Sequence, residues 1–185
     1  NQLEIVALPL NVYRTTKSPD SLVHQPDFDV NEVGQRILTD DFKQNVIESI
    51  RHTYLKGYSD RVINLIKETQ SMGIVPILIT QPSLYGHYKD PVSGLDLSLA
   101  KVGDFNGGLA WDILELYNGE TKRIGAQEDV LVIDLASSMS HSSEYYYDWI
   151  HFNIRGAQLV AQIVYEELCP RLGLVFGEHL DDECG

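Results

Sequence analysis

Three short apolar runs, separated by long amphipathic stretches, constrain this chain more than any other feature. They are Glu4-Ile5-Val6-Ala7-Leu8, Ile74-Val75-Pro76-Ile77-Leu78-Ile79-Thr80 and Val130-Leu131-Val132-Ile133-Asp134-Leu135. Each is strand-length and rich in aliphatic residues, so each reads as a buried strand. The second is apolar throughout, as a strand covered on both faces should be. Between the runs, Thr39-Asp40-Asp41 opens a helix with acids in its first turn. Phe42, Val46, Ile50 and Tyr54 fall on one face of it. Gly57 is expected to break that helix and Ser59-Asp60 to restart it. Val62, Ile63, Leu65 and Ile66 then carry the apolar stripe to Gly73, a C-terminal cap. A further helix spans about residues 108–126, with Leu109, Ile113, Leu116, Tyr117 and Ile124 facing inward. The last follows Asn153, a good N-cap, buries Leu159, Val160, Ile163, Val164 and Leu168, and stops at Pro170. Alternation of this kind implies an α/β fold, a parallel sheet with flanking helices.

In such sheets ligands bind beyond the carboxyl ends of the strands. Three loops leave those ends. One holds Asn11, one holds Gln81 and Ser83, and one holds Asp148 and His151. An Asp and a His three residues apart occur by chance on many loops. Here, however, the pair feeds directly into a docked helix, a rigid place to hold an imidazole beside a carboxylate. Imidazole titrates near neutral pH and can shuttle a proton there.

The bulk numbers narrow the classes. The 185 residues suit one domain, over residues 1–176, with an acidic tail at 177–185. No apolar run approaches the length needed to span a bilayer, so no transmembrane segment is expected. A net charge of −13 argues against nucleic acid or an anionic membrane as partner. Residues 1–10 lack the basic start and apolar core of a signal peptide. Cys169 and Cys184 either pair, which would pin the tail and imply an oxidising, extracytoplasmic compartment, or remain two free thiols. Their spacing fits no metal site.

The stretch Asp148-Trp149-Ile150-His151-Phe152-Asn153-Ile154-Arg155-Gly156-Ala157 resembles the last block of the SGNH (GDSL-type) hydrolases, an Asp-x-x-His followed by a helix with Gly near its start. Ile74–Pro82 is similar to the strand and loop that precede it in that family, and the likeness runs over about residues 40–170. The resemblance implies a flavodoxin-like three-layer fold and a serine esterase or acylhydrolase. The ester would be a lipid acyl group, an acetylated sugar or a short-chain ester. His151 would be the general base, Asp148 its orienting carboxylate and Asn11 an oxyanion donor. Gln81, Ser83 and Trp149 would contact substrate, and neither metal nor organic cofactor would be needed.

The chain also departs from that pattern. The family's Gly-x-Asn-Asp block reads Pro9-Leu10-Asn11-Val12 here, and no Gly-Asp-Ser occurs anywhere. The fold is therefore expected to be incomplete at the N-terminus. The nucleophilic Ser would lie outside this chain, which alone would be inactive, and a preceding segment or companion chain would cover the open sheet edge. The alternative is a non-catalytic binding module or pseudoenzyme of the same fold. Gly107-Gly108, the only Gly pair, follows a loop rather than a strand and argues against a phosphate-binding domain.

Overall fold

The computed structural model describes residues 29–176, with side chains as far as Arg171. The expected strand at Glu4–Leu8, the oxyanion candidate Asn11, Cys184 and the tail at 177–185 lie outside the described residues.

Helix α1 (Asp40–Ser49) starts where the acids place it, capped by the Thr39 hydroxyl, which accepts from the Phe42 N–H at 3.3 Å. The winding then widens into a π-helical segment, Ile50–Tyr54, and resumes as α2 (Leu55–Ser71). The break expected at Gly57 does not occur. One wider turn just before it absorbs the irregularity, with the Leu55 N–H still bonded to the Ile50 carbonyl. Ser59, expected to restart a helix, is buried inside α2. Its hydroxyl meets the Leu55 carbonyl at 3.1 Å and the Glu120 carboxylate. Gly73 does terminate α2, as a left-handed cap residue should. It adopts φ 75°, and the Ile74 N–H turns back to the Thr69 carbonyl at 3.2 Å.

Strands β1 (Ile77–Ile79) and β4 (Leu131–Ile133) pair in parallel, Ile77 opposite Leu131 and Ile79 opposite Ile133. Between them lie a small hairpin, β2 (Lys101–Val102) with β3 (Phe105–Asn106), and the long helix α3 (Gly107–Glu128). A helical turn, α4 (Leu135–Ser138), follows β4, and α5 (Ile154–Phe176) closes the described chain. Pro170 lies inside α5 rather than ending it. Proline removes one helical hydrogen bond and crowds the preceding turn, which kinks a helix as readily as it stops one. The molecule is thus mixed α/β, with a short two-stranded parallel sheet among the described residues.

Two cores result. Ile66, Ile124 and Val130 are buried between the helices and one sheet face, with Val62, Ile63 and Leu78 packed on them. Val30, Leu84, Leu97, Leu135, Met139 and Tyr146 form a second core beneath the loops, joined by Leu159, Val160 and Ile163 of α5. The other sheet face is covered unevenly, with Ile133 buried there and its neighbours on β1 open. Ile77 is 39% and Ile79 48% exposed, so the two-sided coverage expected of this strand is not met by the described residues. The apolar face expected of the first helix is only partly covered: Phe42 and Tyr54 are exposed while Val46 and Ile50 are half-buried, because α2 and α3 take the contact with the sheet.

Gly125 sets how closely α3 approaches β4. A Cβ there would collide with the Val132 methyl and lie 3.0 Å from the Val130 carbonyl oxygen. Gly125→Val is expected to lower stability by about 1–3 kcal/mol, the usual range for overpacking. Urea denaturation measures it, and an unchanged midpoint would contradict this account of the helix–sheet contact.

Candidate active site

The Asp-x-x-His stretch forms the tip of a closed hairpin. Tyr146 and Phe152 pair as an antiparallel bridge. The Tyr147 N–H donates to the His151 carbonyl at 3.1 Å, and the Asn153 N–H to the Tyr145 carbonyl at 3.0 Å. Within this frame Asp148 is pinned by its own neighbours. Its Oδ1 accepts from the backbone N–H of Ile150 at 2.8 Å and of His151 at 2.7 Å. Its Oδ2 lies 2.7 Å from His151 Nδ1. The acid and the imidazole are therefore in contact, as their spacing leads one to expect. Partial burial alone would raise the Asp148 pKa. The two backbone donors and the His151 ring outweigh it and hold the carboxyl below its usual range.

Asn153 then starts α5 as expected, its Oδ1 accepting from the Gly156 N–H at 3.0 Å. Gly156 has a packing reason to be glycine, since any Cβ there would run into the Tyr145 carbonyl oxygen. A side chain at 156 would push the helix start off the hairpin. The Glu144 carboxylate meets Arg155 at 3.0 Å across the same junction.

The loop after β1 is tied to this hairpin at several points. The Leu84 N–H donates to the Trp149 carbonyl at 2.8 Å. His141 Nδ1 donates to the Ser83 carbonyl at 2.8 Å. The His141 ring stacks on Tyr88 with centroids 3.9 Å apart. Burial, the largest influence, holds that imidazole below its usual pKa against the opposing Ser83 bond and Glu115 charge, so it is neutral near pH 7. Asp90 makes the strongest tie. It is 1% exposed, and it accepts from the backbone and hydroxyl of Ser93 at 3.0 and 2.6 Å and of Ser143 at 2.9 and 2.8 Å. At the strand ends Thr80 donates to Asp134 at 2.8 Å, which also meets Lys122 at 3.0 Å.

The remaining candidates separate. Gln81 is exposed at the strand end, its backbone clasped by the Asn118 amide at 2.8 and 3.0 Å. Trp149 is half-buried and packs on Tyr85, with ring centroids 6.4 Å apart. Ser83 has no exposed surface, and its hydroxyl donates to the Tyr85 carbonyl at 3.0 Å. The hydroxyl is thus turned into the loop core rather than to the surface. None of the serine hydroxyls with a hydrogen bond among the described residues bonds to His151. Cys169 is buried and disulfide-bonded, which decides between the pairing and free-thiol alternatives for this residue.

Sequence reasoning missed another acid–imidazole contact, His87 Nε2 to Asp112 Oδ1 at 2.8 Å. The two residues are 25 positions apart, so no local spacing announces them. Gly108 packs against that imidazole, a Cβ there lying 2.9 Å from His87 Cε1. The described residues contain no group of three or more His, Cys, Asp or Glu able to hold a metal ion, and no helix long and apolar enough to cross a membrane. An imidazole held on a carboxylate in this way, with its other nitrogen unclaimed by that bond, can act as a general base. Compared with protein-family models, curated proteins and solved structures, the chain matches none of them.

Asp90 also sets an acid response. Burial would raise its pKa, but the Ser93 and Ser143 donors hold it below the usual carboxylate range. A lowered folded-state pKa contributes stability above the unfolded value, near ~3.9, and that contribution is lost as pH falls through the folded value. Asp90→Asn is expected to lower stability by about 1.5–3 kcal/mol at pH ~7, the range for hydrogen bonds to a charged group. The gap should narrow below pH ~3. Denaturation midpoints of both proteins at the two pH values measure this, and a gap independent of pH would refute it.

Proposed function

We propose that this chain is the acid–base portion of an SGNH-type serine esterase. The single observation that carries this reading is the 2.7 Å contact between His151 Nδ1 and a carboxylate already fixed by two backbone N–H groups. With Nδ1 donating to Asp148, Nε2 on the far edge of the ring is the basic atom. His151 is 59% exposed, so a reactant can meet it. The reaction is acyl transfer to water: a serine hydroxyl attacks the ester carbonyl while Nε2 takes its proton and returns it to the leaving alcohol. Water, deprotonated by the same nitrogen, then attacks the acyl-serine ester and releases the acid and the serine, which recovers the proton. Asp148 holds the tautomer and stabilises the imidazolium. Asn11 would supply an oxyanion donor, as the resemblance implies.

The serine in this proposal comes from a polypeptide segment outside the chain. The exposure of Ile77 and Ile79 is compatible with it, because parallel strands are otherwise covered on both sides and the described residues leave these two open. The same segment would complete a flavodoxin-like sheet within a single domain spanning residues 1–176. An open depression of about 600 Å³, walled by Val92, Glu144, Asn153, Ile154 and Arg155, adjoins the hairpin, and Val92 and Ile154 would seat an apolar part of the ester. The Cys169 disulfide fits an oxidising, extracytoplasmic setting. One observation favours a second reading, a non-catalytic binding module of the same fold: the serine hydroxyls with hydrogen bonds among the described residues are all engaged elsewhere than at His151.

Hydrolysis of a short-chain p-nitrophenyl ester by the protein with its serine-bearing segment separates the two. His151→Ala and Asp148→Asn are each expected to reduce turnover by about 10⁴-fold. Full activity in either variant, with the fold intact by circular dichroism, would end the esterase reading.

A further inference from the structure

The hairpin tip holds one contact with His151 that the acid–base account does not use. The Tyr147 ring lies parallel to the imidazole, 4° from coplanar orientation, with centroids 5.6 Å apart. That is offset stacking, within the range where aromatic pairs attract beyond the area they bury. The two residues are also joined through the backbone, the Tyr147 N–H donating to the His151 carbonyl at 3.1 Å. Tyr147 therefore cannot drift from His151 without opening the hairpin. Asp148, between them in sequence, takes the opposite role and grips the ring edge at Nδ1.

These contacts constrain different motions. The Asp148 bond fixes one nitrogen but leaves the imidazole able to swing about that point. His151 is 59% exposed, so packing alone does not prevent the swing. A parallel ring at stacking distance fixes the plane of the imidazole, and with it the direction of Nε2. Asp148 is the charged group in contact with His151, and the Glu144–Arg155 pair stands at the start of α5 without touching the ring.

We infer that Tyr147 is a positioning residue for His151, whose ring face holds the imidazole plane so that Nδ1 stays on Asp148 and Nε2 stays presented at the rim. The inference deepens the esterase reading, which gives that presentation its use, but the stack can be tested without any hydrolysis. A free neutral imidazole favours a proton on Nε2, whereas a ring held on Asp148 carries it on Nδ1. The ratio of the two tautomers, read from ¹⁵N shifts of the His151 ring on the alkaline plateau where those shifts no longer change with pH, reports how firmly the ring is held.

The experiment compares the protein with Tyr147→Phe, Tyr147→Leu and Tyr147→Met. The phenylalanine variant is expected to keep the Nδ1–H share and the upfield ring-current displacement of the His151 carbon-bound protons. Leucine or methionine, similar in bulk but without a ring face, is expected to lower the Nδ1–H to Nε2–H ratio roughly two- to tenfold and abolish the displacement. Two aliphatic replacements are included so that a folding failure in one leaves the other readable; the amide spectrum establishes which is folded. Unchanged ratios in a folded aliphatic variant would overturn the proposal, as would a phenylalanine variant that behaves like the aliphatic ones. A firm tautomer response in a protein whose His151→Ala variant hydrolyses esters at the full rate would sink the esterase reading and leave this one standing.

Discussion

A carboxylate with almost no exposed surface must be satisfied by donors brought to it, and Asp90 draws them from its own turn and from one distant loop. Ser93 comes from its own turn, and Ser143 comes from 53 residues further on. Neither donor is charged. The bonds hold both segments because an unsatisfied buried carboxylate would cost far more than ordering them. This forces the chain at 143–144 against the chain at 90–93, and the hairpin that follows inherits that position. His141, stacked on Tyr88 and bonded to the Ser83 carbonyl, fixes the same loops from the other side. The Asp148–His151 couple thus sits on a short frame whose foundation lies elsewhere in the sequence.

How much of this could be read from residue order follows from the range of each interaction. Thr39 and Asn153 are legible as helix caps, because a cap is completed within three residues. The Asp148–His151 contact is legible for the same reason, since both residues belong to one turn. Asp90, His87 with Asp112, and the burial of Ser83 are not legible. Each depends on partners brought together by tertiary packing, and a buried serine looks like an exposed one until its neighbours are known. Gly103-Asp104 carries a hairpin signal, with glycine first in a two-residue turn. Gly103, at φ 57°, joins β2 to β3 there.

The strands show the limit from the other direction. Ile74–Thr80 and Val130–Leu135 have the composition of central parallel strands, yet only Ile77–Ile79 and Leu131–Ile133 pair among the described residues. Composition records the environment that a strand needs, and the isoleucines at 77 and 79 need more cover than these residues supply. Gly57 misleads because glycine weakens a helix without obliging it to end. The chain meets the difficulty by loosening one turn rather than stopping.

That loosened turn has a consequence for insertions and deletions. A π-helical segment holds about one residue more than regular winding requires. Removing a single position between Ile50 and Tyr54 would let the two helical stretches fuse. Because the residue removed is the surplus one, the two stretches would keep their phase, whereas a deletion in regular winding rotates one flank by about 100°. Lys43, which lines a cavity with His87, Asn106 and Asp112, would then stay on it. The irregular turn is therefore the place where this helix can lose a residue without changing which flank of its first stretch meets α3.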